Sequence, residues 1–527
     1  MLGSVAENLG VVPIVVNAGA VLLPAVAAAL AGFVGLLLRP RELVGVCRRN
    51  PWRVLMVVGA GVGLWLGVAY WTKATPAKAI TTGEMDWAQV ALTILQREQA
   101  GTLGGSAETM NGAATRPTEA VGYRQDARRC GYAGGIVPQG LRPLWNYRVG
   151  EAMVLVSPVV VGDRVYGASC LADATGNYGT LFCIGAGDGR MIWQTDRLGG
   201  QDLKGIFSSP AATADGRYLV IGQGLHDDAD CDLLCVEAAT GKLHWQVRTP
   251  LHLESSPAIR GDLVVIGAGA IEDRQHRAKG DPGFVLGVRI SDGQVLFREA
   301  VNDPESSPAI SAEGIVYIGS GINGKAVVAL RSDSAETLRA TRKSRVLWRT
   351  PLAYPVTGAV TLDGGLVIVG AGKGDYVYRD PDPAGLVAAL DARTGRVVWQ
   401  TELPDAVLGA VAACGDRLYC PVRNGEIVAL NLADGRVRWR QKISGSAGVL
   451  AGPAVAGGLV YAVSKDGLLA VLAAEDGRII EKHRINDDSR IGEMGMSLSS
   501  PTMSGGRVYV GSETGGLRCL IGTGSQP

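Results

Sequence analysis

The stretch ALDARTGRVVW (389–399) reads as two short apolar strands joined by a tight reversal. Ala389 and Leu390 close one strand, and Val397, Val398 and Trp399 begin the next. Between them, Thr394-Gly395 marks the tight turn. The pattern recurs as VEAATGKLHW (236–245) and ALNLADGRVRW (429–439). A turn of fixed chemistry, repeated with a Trp four residues after its Gly, marks a repeat protein.

Working outward, each copy belongs to a longer unit with four short strands. The residue that opens the first strand recurs as Pro158, Pro210, Pro257, Pro308, Gly358, Gly409, Pro453 and Pro501. The period is about 49 residues, the length of a four-stranded propeller blade. Second strands such as GDRVYGAS (162–169) and EGIVYIGSG (313–321) alternate after a two-residue turn, with Tyr166, Tyr317, Tyr419, Tyr461 and Tyr509 at one shared position. Fourth strands run RMIWQT, KLHWQV, QVLFRE, RVLWRT, RVVWQT, RVRWRQ and RIIEKH, one short of the count needed. The missing one is PLWNYRV (143–149), with Trp145 in the repeat position. The sequence therefore predicts an all-β, eight-bladed β-propeller whose N-terminal strand closes the last blade and removes a free sheet edge.

These residues resemble the PQQ-like β-propeller repeat family, whose blade signature A-x-D-x-x-T-G-x-x-x-W is met in full by 389–399. The resemblance spans about 385 residues, 141 to 525. It implies the propeller fold. It does not choose between BamB-like assembly propellers and quinoprotein dehydrogenases. By resemblance, Trp145, Trp193, Trp245, Trp348, Trp399 and Trp439 pack between neighbouring blades. Phe297 and Glu481 replace Trp in blades 3 and 7, which predicts looser packing there. Cys183, Cys235 and Cys519 take the signature's Ala position and read as small core residues, while Cys170 has Cys183 or Cys231 as possible neighbours. Family dehydrogenases carry adjacent cysteines at a quinone. This chain has no Cys-Cys pair, and no acid, Asp base and Ca²⁺ set can be assigned by motif.

Composition agrees with a globular repeat array. The chain has 527 residues, 47% apolar, with 74 Gly and no collagen period, so tight turns abound. A formal charge of +1 gives no overall pull on nucleic acid, and no nucleic-acid partner is expected. Nine cysteines without a C-x-x-C pair exclude a disulfide scaffold and a zinc ribbon. The five histidines form no HExxH.

The N-terminal part has a different character. Residues 11–38 and 54–72 are uncharged runs long enough to cross a ~30 Å hydrocarbon core. The loop between them carries Arg39, Arg41, Arg48, Arg49 and Arg53, which places it in the cytoplasm. Residues 1–72 are thus expected to form two transmembrane α-helices in an inner-membrane hairpin, with the propeller on the periplasmic side. Residues 73–140 read as a juxtamembrane segment: a helical stretch over 86–98 and a flexible small-residue linker over 101–120. The propeller is expected over 141–527.

Candidate sites follow from topology. Loops between second and third strands share one face with the connections between blades. Four of these loops are long: 170–179, 225–232, 270–283 and 372–385. Their polar residues His226, Asp227, Asp228, Asp230, Arg274, His276, Tyr376 and Arg379 are the candidate binding face. The HDDADCD loop lacks EF-hand spacing, so it reads as a solvated acidic loop, with no metal site. Glu254 and Glu305 precede the inner strands of successive blades and should ring the channel mouth, with Lys204, Asp202 and Glu493 nearby. No catalytic residue is assigned. The favoured reading is a membrane-anchored scaffold with a protein partner in the cell envelope and no cofactor. The alternative is a quinoprotein oxidoreductase holding pyrroloquinoline quinone with Ca²⁺. A sensor is disfavoured because the cytoplasmic loop is too short for an output domain.

Overall fold

The computed structural model describes residues 121–173, 176–270, 281–445, 447–487 and 497–523. The expected membrane spans, 11–38 and 54–72, and the linker helix over 86–98 lie outside the described residues. Among the described residues no helix is long and apolar enough to cross a membrane.

Eight four-stranded antiparallel sheets are formed, one per expected blade. Seven are contiguous in sequence. Blade 5, for example, runs Thr361–Asp363, Leu366–Gly372, Gly385–Asp391 and Val397–Leu403. The eighth joins Thr502–Ser504, Arg507–Ser512 and Gly516–Gly522 to the N-terminal strand Leu141–Tyr147. The register pairs Leu141 with Gly522 and Tyr147 with Leu517. The ring is thus closed by its first and last strands.

The signature's chemistry explains the seams. In blade 5 the Asp391 carboxylate accepts from the Thr394 backbone N–H at 2.8 Å and its hydroxyl at 2.6 Å, which fixes the turn. Gly293 of blade 3 has φ +74, and a Cβ there would stand 2.8 Å from Trp245 Cγ of blade 2. Each repeat Gly is therefore required twice, for its backbone angle and for the indole of the preceding blade. The indole N–H of each Trp donates to a carbonyl of the following blade. Trp145, Trp193, Trp245, Trp348, Trp399 and Trp439 bond to Ala186, Ala238, Ile290, Ala392, Leu432 and Ala474.

The two blades without Trp are not left loose, contrary to the expectation. Each Trp packs on the Gly of a tight turn in the next blade. Blade 4 replaces that turn with an insertion carrying the helix Ala335–Thr341, and blade 8 draws its fourth strand from the N-terminus. Blade 3 accordingly has Phe297, with the Arg345 guanidinium of the insertion stacked 4.0 Å from its ring. Blade 7 has Glu481, whose carboxylate accepts from the backbone N–H groups of Gly140 and Leu141 at 3.1 and 2.9 Å.

The propeller also begins earlier than position 141. Residues 121–133 run past the inner strands inside the ring. Val121 bridges Ala212 of blade 2 and Tyr132 bridges Val455 of blade 7. Backbone bonds from Ile310, Leu362 and Ala413 reach Ala127, Arg128 and Cys130 in between. Arg129 is 1% exposed; its guanidinium donates to the carbonyls of Pro308, Ser256 and Tyr123. Arg124 donates to Pro453 and Val411 across the ring. Burial pushes Arg129 down to about 10, so it remains charged at neutral pH. The first described residues thus form a stopper for the central channel.

Candidate mouth of the channel

Serines set the geometry of the mouth. The Ser-Ser-Pro that opens four of the eight inner strands hydrogen bonds from blade to blade. Ser208 Oγ donates to Ser255 O, Ser255 Oγ to Ser306 O, and Ser306 Oγ to Gly358 O, at 2.9, 3.0 and 2.7 Å. This relay holds in place the residues just before it, Glu254 and Glu305.

There the loop of blade 2 delivers His226, and the connection into blade 3 delivers His252. His226 Nδ1 stands 3.1 Å from Glu305 Oε1 and 3.5 Å from Glu254 Oε1. His252 Nε2 stands 3.5 Å from Glu305 Oε1 and 3.2 Å from Ala270 O. The imidazoles meet edge to face at 5.5 Å. His252 is fully buried, and burial pushes it down to about 4, so it is neutral at physiological pH. Burial pushes the Glu254 carboxyl up to about 7, with His226 pulling the other way. Glu254 Oε1 and His252 Nδ1 are buried without a hydrogen-bond partner.

The remaining candidates divide. Asp228 accepts from Leu225 N and Asn177 Nδ2, both at 2.8 Å, and so braces its own loop. Asp227 and Asp230 are exposed. Lys204 is tied to Ala229 O and lies 3.9 Å from Cys231 Sγ, a brace for the same loop. Asp202 is not at the mouth; it is exposed and pairs with Arg197 at 3.3 Å. On the far side, Tyr376 donates to Leu408 O at 2.8 Å, and Arg379 holds the buried Asp405 at 2.7 Å. Buried Arg423 and part-buried Lys465 lie on that side too, and Lys465 donates to Tyr376 O at 3.1 Å. Arg274, His276 and Glu493 lie outside the described residues.

Sequence reading missed His252, Arg124 and Arg129. The signal for His252 was its place two residues before Glu254, next to the conserved spacing of Ser-Ser-Pro within the repeats. Nothing in the irregular 121–133 stretch marks it as a stopper.

Pyrroloquinoline quinone is a flat tricarboxylate, and the mouth does not suit it. The six Trp of the described ring sit at blade seams, far from any role as a platform. All eight described cysteines are free thiols. The part-buried carboxylates of Glu254 and Glu305 on the wall of blades 2 to 4 repel an anionic ligand.

A family model described as outer membrane protein assembly factor BamB matches residues 140–250, 225–379 and 383–526. The outer membrane protein assembly factor BamB of Yersinia pestis is 34% identical over 29% of this chain and 43% of its own length. That of Salmonella typhimurium is 23% identical over 70% of this chain and 84% of its own. A quinohemoprotein alcohol dehydrogenase from Pseudomonas putida HK5 superposes with a TM-score of 0.56 at 13% identity, covering 85% of this chain and 84% of that one. The last likeness carries the fold alone.

Proposed function

The chain belongs to the family described as outer membrane protein assembly factor BamB, and from that membership we propose that it is a periplasmic interaction scaffold for outer-membrane protein assembly, tethered to the inner membrane by residues 1–72. The observation that carries this reading is the filled ring. Its channel is stoppered by Tyr123, Arg124 and Arg129 of the chain itself, which leaves the propeller with two kinds of presented surface.

One surface is the loop face around the mouth. The other is the rim, where outer strands have unpaired edges. These strands leave Met191, Ile192, Val295, Leu347, Val398, Val437 and Ile480 exposed. An edge with apolar side chains suits a partner segment that adds as a further strand. No cofactor is required for either surface.

The test is photo-crosslinking in intact cells, with the reactive residue placed at Arg379, at Val398 or at Gly261 in a turn on the opposite face. Crosslinks from the first two positions to a component of outer-membrane protein assembly, and none from Gly261, are expected. Titration of the purified chain with pyrroloquinoline quinone and Ca²⁺ supplies the contrary outcome. Saturable binding with dye-coupled alcohol oxidation would replace the scaffold by the oxidoreductase.

A further inference from the structure

The mouth holds a constellation that a scaffold does not need. Three separate elements bring nitrogen and oxygen donors together: the blade 2 loop with His226, the connection with His252 and Glu254, and the next connection with Glu305. The ligand atoms of His226, His252 and Glu254 all lie within 4.8 Å of one another. The pairs that include Glu305 or His226 are closer, at 3.1, 3.5 and 3.5 Å.

Those separations have a chemical meaning. A tetrahedral ion bound at 2.0–2.2 Å sets its ligand atoms roughly 3.3–3.6 Å apart. Three of the six donor separations, His226–Glu305, His226–Glu254 and His252–Glu305, match edges of that polyhedron. Buried carboxylates are otherwise paired with a cation or hydrogen-bonded. Glu254 is 12% exposed at its side chain, and its Oε1, the oxygen facing His226, is buried with no hydrogen-bond partner. His226 is half exposed, which leaves a path from solvent.

We propose that His226, His252 and Glu254, with Glu305 as fourth donor, form a tetrahedral site for one zinc-class divalent cation at the mouth of the channel. Mixed imidazole and carboxylate donors select a first-row transition ion over Ca²⁺ or Mg²⁺, which take six or more oxygens. The bound ion staples the blade 2 loop to the connections entering blades 3 and 4. It therefore orders one sector of the loop face and leaves the rest of the ring unchanged.

The experiment uses the full-length chain, purified without a histidine tag and stripped with a chelator. Zn²⁺ is added, free metal is removed, and bound metal is counted by mass spectrometry. One ion per chain and a raised thermal midpoint are expected. Co²⁺ in place of Zn²⁺ is expected to give the intense visible bands of a tetrahedral centre. H226A and E254Q should each weaken binding by roughly 100-fold or more, since even residues behind metal ligands cost 10–100-fold. H226A alters a half-exposed side chain, so its metal-free thermal midpoint should equal that of the unmutated chain. H244Q, at an exposed histidine elsewhere, should bind normally. Absence of stoichiometric metal overturns the proposal. So does an octahedral Co²⁺ spectrum, or full binding by both H226A and E254Q. None of these results bears on whether the chain is a scaffold, which the crosslinks decide.

Discussion

Trp245 and Gly293 show how one pair of residues carries a seam. Trp245 is 9% exposed, donates to Ile290 O at 2.6 Å and lies over Gly293. W245A removes the ring and leaves a cavity between blades 2 and 3, a change that costs about 3–5 kcal/mol. G293A keeps the ring but adds a Cβ at φ +74 against it, and should cost more than about 1 kcal/mol. Denaturant midpoints for the two variants should fall in that order, W245A lower. Lys465 gives a pH signature at the same scale. Burial, with Arg423 adding to it, pushes the ammonium down to about 8 from 10.5. Between pH 8 and 10.5 the unfolded chain holds more protons at this site than the folded one, so this group makes stability rise with pH. Below pH 8 its contribution is flat and unfavourable. K465M should therefore gain on the unmutated chain at pH 7 and lose that gain as pH climbs from 8 to 10.5. Equilibrium unfolding across that range reads the difference directly.

At the scale of the element, the N-terminal segment matters most. Glu481 binds the N–H groups of Gly140 and of Leu141, the first residue of the closing strand, and also His483 Nε2 at 2.8 Å. E481A leaves the Leu141 N–H buried without a partner, at a cost of about 1–3 kcal/mol. Hydrogen exchange should quicken over 140–147 and stay unchanged in blades 3 to 5. The closing strand was legible in sequence because PLWNYRV carries the repeat's own Trp and the count of fourth strands was one short. Its latch was not legible, because Glu481 stands where Trp belongs and reads as a defect. The reason becomes plain only when blade 8 is seen to lack the turn that a Trp of blade 7 would cover. Residues 121–133 were opaque for another reason. Their bonds go to inner strands of different blades, so no periodicity of their own records the partner. The mouth cluster was half visible. Glu254 and Glu305 share a repeat position, whereas His226 and His252 enter from a loop and a connection that only the closed ring brings together.

For the whole molecule, closure and stopper make one prediction. The ring's last sheet needs Leu141–Tyr147, and its inner strands need the guanidiniums of Arg124 and Arg129 to satisfy carbonyls of blades 3, 4, 6 and 7. A fragment of residues 121–527 retains both devices, so it should be monodisperse and unfold in a single cooperative step. A fragment of residues 148–527 has every strand of seven blades yet exposes the edge Gly516–Gly522 and leaves buried carbonyls without donors. Exposed edges template association between chains. That fragment should aggregate, or melt well below the longer one, in light scattering and calorimetry. Supplying residues 121–148 as a separate peptide should restore the monomer, because strand pairing and the arginine bonds need no covalent link to blade 1. Equal stability of the two fragments would mean that the ring is held by its Trp seams alone. The N-terminal segment would then be a passenger in the channel, available to be displaced by a partner.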